Sequence, residues 1–155
     1  MAALLFVAVC CFDKTAGEFE IGPIEHATVV YVVDGDTLQV QMASGEKRIR
    51  LIGVDAPESV HPDESRNTAA GAEASAYMES LVSPGDAVWL EKDVSETDEY
   101  GRLLRYVWTV EPGRSASAEE VAALTLNGRM VADGFAKPSE FPPDTKYAAV
   151  WESLA

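Results

Sequence analysis

The fold is decided by residues 27–54, which read ATVVYVVDGDTLQVQMASGEKRIRLIGV. Val, Ile, Leu and Thr make up much of this stretch, and β-branched residues favour strands. Two turn sequences interrupt it, Asp34-Gly35-Asp36 and Ser44-Gly45, because Asp, Ser and Gly readily adopt the backbone conformations of turns. The pattern therefore predicts a meander of three strands, at residues 27–33, 37–42 and 47–54.

The second and third predicted strands alternate between their two faces. In the second strand one face is apolar and the other is polar: Leu38, Val40 and Met42 against Gln39 and Gln41. In the third strand the two sets are Ile49, Leu51 and Gly53 against Arg48, Arg50 and Ile52. A period of two is typical of a strand that is buried on one face. We therefore expect the meander to cover a core, with Arg50 on the outer face.

The following part of the chain predicts one helix and two further strands. Residues 69–82 are rich in Ala, with Tyr77 and Leu81 at helical spacing, and the helix is expected to end at Ser83-Pro84-Gly85. Strands are predicted at residues 87–90 and 103–110. The acidic stretch between them, residues 91–99, is predicted to be a loop.

The C-terminal part predicts two more helices. Ser117 and Glu120 have the spacing of a capping box, so a helix is expected from about residue 118 to residue 133, ending at Gly134. Asp144 is expected to cap a last helix that carries four apolar residues, Tyr147, Val150, Trp151 and Leu154. Five strands and about three helices indicate an α+β domain built on a small barrel.

Composition indicates an ordinary globular protein with an unusual charge. The chain has 155 residues, of which 47% are hydrophobic and 25% charged, enough for one domain with a real core. Twelve Lys and Arg residues face 26 Asp and Glu residues, giving a formal net charge of −14. A protein that holds nucleic acid by a broad basic face is therefore disfavoured. Most of the acidic excess, however, lies outside residues 27–60, which carry five acidic and three basic residues.

The N-terminal segment is apolar and contains both cysteines of the chain, Cys10 and Cys11. Residues 1–12 match the length of a signal-peptide apolar region but are too short to span a bilayer. Residues 13–26 are polar and predict a linker to a domain at residues 27–155. We expect a secreted or cell-surface protein, with a lipid tether at one of the cysteines as one form of it. A short buried N-terminal segment is the alternative.

Three short segments concentrate the residues that can perform chemistry. They are residues 34–37 (DGDT), 50–58 (RLIGVDAPE) and 98–102 (DEYGR). Carboxylates at a strand end and at a neighbouring hairpin turn would repel one another, and a hard cation such as Ca²⁺ or Mg²⁺ would relieve this. Two arginines beside these carboxylates suit a phosphate ester, since guanidinium groups bind phosphate oxygens through paired hydrogen bonds.

Each segment by itself has an ordinary structural explanation. Asp34-Gly35 is a turn in almost any hairpin, Arg50 alone suits a surface face, and residues 99–102 alone suit a loop. His61, which precedes a proline, is more often a structural histidine than a ligand. The functional interpretation therefore depends on the order and spacing of the three segments together.

In that order and spacing, the three segments resemble the staphylococcal nuclease (thermonuclease) family. The motifs are Val-Asp-Gly-Asp-Thr at residues 33–37, the nine-residue segment at 50–58, and Asp-Glu-Tyr-Gly-Arg at 98–102. Residues 57–62, 71–76 and 131–136 extend the likeness, which covers residues 27–155. The resemblance implies an OB-fold five-stranded β-barrel with three helices, the last of them cut short in this chain.

The resemblance also implies a calcium-dependent nuclease that hydrolyses DNA and RNA and leaves 3′-phosphate ends. Carried over by motif, Asp36 and Asp55 would bind Ca²⁺ through their carboxylates. Ala56 would bind it through its backbone carbonyl, and a family member with Thr at this position would use the same atom. Asp34 would have a supporting role next to these ligands.

The same motifs assign the catalytic and substrate-binding residues. Glu58 would be the general base or would position the attacking water. Arg50 and Arg102 would hold the phosphate and stabilise its transition state, and Arg102 would assist the leaving oxygen. Tyr100 matches a position that contacts the nucleotide. Glu99 departs from the family, where the best-known member has a lysine at this position.

A second departure follows Gly134, where the chain lacks the tyrosines that pack on the base in the best-known member; Phe141 is the residue that could replace them. Three functions remain: an active nuclease, a noncatalytic nucleic-acid-binding module on the same barrel, and a surface domain stabilised by Ca²⁺. The enzyme is favoured because all five motif positions, Asp36, Arg50, Asp55, Glu58 and Arg102, are present. Its expected partners are single-stranded or unpaired DNA and RNA as substrate, and the protein is expected to be a monomer.

Overall fold

The structure is a computed structural model that describes residues 17–59 and 63–155. The signal-like segment at residues 1–12 and His61 lie outside the described residues. In chain order the elements are β1 (Glu18–Glu20), β2 (Ile24–Asp34), β3 (Thr37–Met42), β4 (Gly45–Leu51), β5 (Val54–Asp55), a 3₁₀ turn (Glu64–Arg66), α1 (Ala69–Leu81), β6 (Ala87–Glu91), β7 (Leu103–Trp108), β8 (Ser115–Ser117), α2 (Ala118–Leu124), α3 (Leu126–Ala132), β9 (Lys137–Pro138) and α4 (Ala148–Leu154).

Five strands close into a barrel in the order β2-β3-β4-β7-β6. Neighbours are antiparallel except for β4 and β7, which are parallel, with Arg50 opposite Leu104. The two other strand pairs are β1 with β8 and β5 with β9. This architecture confirms the predicted α+β class, the OB-fold barrel and the three-stranded meander at its start.

The alternation predicted for the meander separates the barrel interior from its outer face. Leu38 and Val40 are fully buried, and Ile49 and Leu51 join them from β4. The outer face is more varied, because Gln39 is half-buried and Arg48 exposed, whereas Arg50 is only 7% exposed. Arg50 therefore lies on the outer face, as predicted, but it is covered there instead of exposed. Other parts of the chain cover the outer face at this end of β4.

The helix predicted at residues 118–133 is two helices, α2 and α3, so the structure has four α-helices rather than three. Thr125 separates them. Its hydroxyl donates to the Val121 carbonyl at 2.6 Å and accepts from Gly128 N–H at 3.0 Å, which caps the start of α3. Thr125 also forms an isolated bridge with Trp108 of β7. The break lets the second half of the segment turn toward the barrel.

Asp144 does not cap the last helix. α4 begins after Tyr147, which makes no side-chain cap hydrogen bond. The buried Asp144 carboxylate instead accepts hydrogen bonds from the backbone N–H groups of Val94 and Ser95, at 2.9 and 2.8 Å. Asp144 therefore fixes the loop after β6 against the C-terminal segment, a long-range contact that local sequence patterns do not reveal.

A buried carboxylate joins α4 to the barrel. Glu91, at the end of β6, is fully buried and accepts hydrogen bonds from Trp108 Nε1, the Tyr147 hydroxyl and Lys146 Nζ. It also accepts from Gly22 N–H at 2.8 Å. A buried charge is tolerated when it is paired and hydrogen-bonded, as here. Glu91, the first residue of the predicted acidic loop, is thus a buried charge at the end of β6.

The described part of the predicted linker belongs to the domain. Residues 18–20 form β1, which pairs with β8, and β2 begins at Ile24, within the segment expected to be a linker. Phe19 packs edge-on against the Tyr147 ring, with 5.0 Å between centroids. Among the described residues, every helix is too short or too polar to cross a membrane.

Candidate active site

The turn between β2 and β3 positions a buried carboxylate. Asp34 Oδ1 accepts the backbone N–H of Asp36 at 3.0 Å, which fixes the turn. Asp36 is only 7% exposed; its Oδ1 accepts from the Thr37 hydroxyl and its Oδ2 from Ala56 N–H at 2.9 Å. Burial, together with the negative charge of Asp36, raises the pKa of Asp34 to about 6. Negative charge is thus concentrated at this turn.

Arg50 neutralises part of this charge. Its Nη1 donates to the carbonyls of Leu51 and Val54, both at 2.7 Å, so the guanidinium is held by the backbone around it. Its Nη2 faces two carboxylates, with Asp55 Oδ1 at 3.1 Å and Asp36 Oδ2 at 3.4 Å. One guanidinium nitrogen therefore brings together the carboxylates of two separate sequence motifs.

Asp55 and Ala56 lie where the chain leaves the barrel. The Asp55 side chain is 66% exposed, in contrast to that of Asp36, so one carboxylate of the pair opens to solvent. β5 pairs with β9, and this register places Asp55 opposite the exposed Lys137. Ala56 is buried, and its N–H binds Asp36, which holds residues 55 and 56 against the β2–β3 turn.

The residues gathered here fit a hard cation. The candidate donors are oxygen atoms, the kind that Ca²⁺ and Mg²⁺ prefer. No group of three or more His, Cys, Asp or Glu side chains with metal-site spacing occurs in the described residues. A cation held by Asp36, Asp55 and the Ala56 carbonyl would therefore complete its coordination with water or substrate oxygens.

Glu58 lies on the exposed loop after β5, and its backbone is tied to α1. Its carbonyl accepts the N–H of Thr68 at 2.9 Å, and Thr68 in turn caps α1 by accepting Gly71 N–H. A Cβ on Gly71 would come within 2.0 Å of the Glu58 carbonyl oxygen. Within residues 17–59 and 63–155, no hydrogen bond or ion pair occupies the Glu58 carboxylate, which is therefore available to a solvent molecule.

Arg102 lies in the turn before β7 and is held by Asp98. The Asp98 carboxylate accepts Arg102 Nε at 2.7 Å, and it also accepts the backbone N–H groups of Tyr100 and Arg102. The Arg102 guanidinium lies over the Tyr100 ring, 5.4 Å from its centroid. Leu103 pairs with Ile49 of β4 in a parallel register. Arg102, one residue before Leu103, therefore lies beside Arg48, two residues before Arg50. Arg50 thus lies on β4, and Arg102 lies just before β7, the parallel neighbour of β4.

Phe141 contacts the site in a way that the sequence did not predict. Its ring lies 5.1 Å from the Arg50 guanidinium carbon, whereas the sequence suggested a stacking surface for a base. Asp98 was part of a quoted motif, but its role in holding Arg102 was not predicted. No local sequence pattern predicts the contact of Phe141 with Arg50, because this contact depends on how residues 137–147 return to the barrel.

These features define an OB-fold protein with a carboxylate–guanidinium site at one end of its barrel. The chain belongs to the staphylococcal nuclease family, whose sequence model, described as "Staphylococcal nuclease homologue", matches residues 48–153.

Three relatives extend the comparison. The chain is 30% identical to the thermonuclease of Staphylococcus hyicus over 152 residues, covering 95% of this chain and 82% of that protein. It is 32% identical to the thermonuclease of Staphylococcus intermedius over 128 residues, covering 83% and 68%. A third relative is the endonuclease YhcR of Bacillus subtilis (strain 168), 39% identical over 95 residues, which are 58% of this chain and 8% of that protein.

Proposed function

We propose that this chain is a Ca²⁺-dependent nuclease that hydrolyses phosphodiester bonds of DNA and RNA. One observation carries the proposal: Asp36 and Asp55 both lie within 3.4 Å of Arg50 Nη2, so cation ligands and a phosphate-binding group meet at one point. The thermonuclease and endonuclease names of the relatives support the same reaction class.

Asp36, Asp55 and the carbonyl of Ala56 would hold the calcium ion. When bound, the ion supplies positive charge that stabilises the negative phosphate oxygens as the reaction proceeds. Asp36 is fixed by its hydrogen bonds to Thr37 and Ala56, so one ligand is rigid. Asp55 is mostly exposed and adjusts to the cation and the substrate.

Glu58 accepts a proton from the attacking water. Its carboxylate is exposed, and its backbone is fixed to α1 through Thr68, which supports a base with restricted backbone motion. The water oxygen forms a new bond to phosphorus as its proton passes to the carboxylate. The bond between phosphorus and the 5′ oxygen then breaks, which leaves a 3′-phosphate on one product and a 5′ hydroxyl on the other.

Arg50 and Arg102 bind the phosphate and stabilise the charge that develops on its oxygens. Arg50 is preorganised by the backbone carbonyls of Leu51 and Val54, and Arg102 by the carboxylate of Asp98. Preorganised donors lose little energy to reorientation during the reaction, which makes them effective in the transition state. Arg102, at the exposed side, also donates toward the leaving oxygen.

Tyr100 contacts the nucleotide in this proposal. Its ring is 75% exposed and already lies against the Arg102 guanidinium, so it presents an aromatic surface next to the phosphate-binding group. The substrate is a single-stranded or unpaired region, because a base can stack on an exposed ring only when it is unpaired. The protein acts as a monomer, and residues 1–12 direct it to the cell surface or beyond.

The test is cleavage of single-stranded DNA and RNA by the purified chain, in Ca²⁺ and in chelator, with analysis of the new ends. We expect Ca²⁺-dependent cleavage with 3′-phosphate ends, and Ca²⁺-dependent thermal stabilisation that Asp36→Asn abolishes. Binding of DNA without cleavage would instead support a noncatalytic module. Thermal stabilisation by Ca²⁺ without cleavage would support a metal-stabilised surface domain.

A further inference from the structure

An outer row of side chains crosses the barrel next to the candidate active site. Tyr31 of β2 is the register partner of Gln39 of β3, and Gln39 is the partner of Arg48 of β4. Directly paired residues on neighbouring strands point to the same side of a sheet. Gln39 alternates with the buried Leu38 and Val40, so the row of Tyr31, Gln39 and Arg48 lies on the outside of the barrel.

The members of the outer row are available for binding. Tyr31 is 45% exposed, although large apolar rings are usually covered. Arg48 is exposed, and no acidic group in the described part of the chain forms an ion pair with it. Glu46, which lies on the same face, interacts with Gln39 Nε2 at 3.2 Å.

The outer row continues into the candidate active site. Arg48 precedes Arg50 by two residues on β4, so the two side chains start from the same side of one strand, separated by about 6.6 Å along it. On the neighbouring strand, Leu103 pairs with Ile49, which brings the preceding residue, Arg102, to the level of Arg48. The exposed Tyr100 ring lies against Arg102. Aromatic and cationic groups therefore extend from Tyr31 to Tyr100.

We propose that the outer row binds the nucleotides that flank the cleaved phosphate of a single-stranded nucleic acid. Arg48 contacts a neighbouring phosphate, and Tyr31 stacks on a base further along the strand. This assignment rests on the proposed nuclease function and adds to it a binding track across β2, β3 and β4.

Three features fit single-stranded nucleic acid as the occupant. Exposed rings stack on bases of any sequence, and unpaired bases alone offer a free face. Arg48 supplies a cation for the backbone, and Gln39 has an amide oxygen for a base edge. In other OB-fold proteins, the face of the second and third barrel strands, which are β3 and β4 here, also binds oligonucleotides. A duplex would require a broad basic surface, which the composition of the chain disfavours.

Binding of a fluorescently labelled 20-nucleotide oligo(dT) by the full chain in chelator tests the track without cleavage. We expect Arg48→Gln to weaken binding about five-fold and to reduce the slope of log K against log salt by about 0.7, the value for one phosphate contact with a single strand. Tyr31→Ser is expected to weaken binding at least about five-fold, whereas Tyr31→Phe keeps the stacking surface and the affinity. Thermal unfolding of each variant verifies that the fold is intact.

Arg114→Gln is the matched control, because Arg114 is exposed and lies just before β8, outside the outer row. Three results would each overturn the track. The first is unchanged binding by Arg48→Gln and Tyr31→Ser, the second is absence of binding by the unmodified chain, and the third is an equal loss of affinity in Arg114→Gln. Equal affinity for a 20-base-pair duplex would overturn the choice of a single strand.

Kinetics in Ca²⁺ separate the track from the nuclease proposal. Arg48→Gln is expected to raise KM for the 20-nucleotide substrate about five-fold and to leave kcat unchanged. KM for a dinucleotide, which has no flanking phosphate, is expected to stay the same. An equal change for both substrates contradicts the track while the nuclease proposal stands. If no substrate is cleaved, the nuclease proposal fails and the binding experiment still decides the track.

Discussion

Arg50 is the residue on which the candidate site depends. Its guanidinium is buried, bound to two backbone carbonyls on one side and to Asp36 and Asp55 on the other. A buried arginine needs such partners, because an unpaired charge in the interior is costly. The Arg50 side chain thus connects the backbone carbonyls of Leu51 and Val54 to the solvent-exposed carboxylate of Asp55.

Arg102 is placed differently and gives a clearer mutational test. Its side chain is 27% exposed and bound to Asp98, and the Asp98 carboxylate keeps two backbone N–H donors, from Tyr100 and Arg102, when the guanidinium is removed. Arg102→Ala is therefore expected to lower kcat by about 10²–10³-fold through loss of transition-state hydrogen bonds. The free energy of unfolding is expected to change by less than about 1 kcal/mol.

Initial rates and urea unfolding curves check this expectation, with Arg114→Ala as the control at an exposed arginine outside the site. An Arg102→Ala variant with full activity would show that Arg102 has no role in the reaction. A large loss of stability would instead assign it a structural role.

Glu96 gives a prediction of pH dependence away from the site. Its hydrogen bonds to the buried Arg105 and to Lys92 lower the pKa of Glu96 below its ordinary value of 4.5. A carboxyl with a lowered folded-state pKa contributes stability above the unfolded-state value, and this contribution disappears as the pH falls through the folded-state pKa. Glu96→Gln should therefore lower the free energy of unfolding at pH 7, and this deficit should shrink as the pH falls below 4.5.

Urea unfolding at a series of pH values measures this difference. Glu79→Gln, at an exposed position of α1, should show no such pH dependence. A Glu96→Gln deficit that is the same at pH 7 and pH 3 would contradict the proposed ion pair.

At the level of elements, the contact between α1 and the Glu58 loop positions the proposed base. Gly71 lies in the first turn of α1, and its missing side chain leaves room for the Glu58 carbonyl. The sequence predicted α1 and the position of Glu58 separately. Their contact could not be predicted, because it depends on the direction in which residues 56–68 cross the end of the barrel.

Gly71→Ala tests this contact. Alanine normally favours a helix over glycine by about 1 kcal/mol, but here its Cβ would overlap the Glu58 carbonyl oxygen. The loop is expected to move away from α1, with a cost of about 1–3 kcal/mol in stability. Misplacement of the base by about 1 Å is expected to lower kcat about 10²-fold.

Steady-state kinetics and thermal unfolding measure both effects, and Ala72→Ser on the exposed side of the same helix is the control. If Gly71→Ala stabilised the protein without loss of activity, the loop would not depend on this contact.

The other elements show where local patterns were sufficient. The alternation in residues 37–42 was enough to predict the buried face of β3, and the Ser117–Glu120 capping box was enough to predict the start of α2. Local patterns failed at Thr125 and Asp144. Asp144 makes its decisive contact with a distant part of the chain, at residues 94–95. Thr125 caps α3 locally through Gly128 N–H, and its bridge to the distant Trp108 is the contact that local patterns miss.

For the whole molecule, the barrel brings together Asp36, Arg50 and Asp55 of the first two charged motifs, and its register places Arg102 of the third beside β4. The order of the motifs was enough to predict that Asp36 and Asp55 meet, but the contacts of Arg50 with Phe141 and of Arg102 with Asp98 required the folded chain. The net charge of −14 constrains function at this scale, since it disfavours tight binding of long polyanions. In the proposed mechanism, a local cation and two arginines would bind one phosphate without a basic face.

The central claim is that this end of the barrel cleaves phosphodiester bonds with Glu58 as the base. The most direct measurement is the initial rate of single-stranded DNA hydrolysis in Ca²⁺ and in chelator, for the unmodified chain, Glu58→Gln and the control Glu79→Gln. We predict Ca²⁺-dependent cleavage by the unmodified chain and by Glu79→Gln, and a rate about 10²–10⁴-fold lower for Glu58→Gln. No Ca²⁺-dependent cleavage by the unmodified chain, or undiminished cleavage by Glu58→Gln, would contradict the claim.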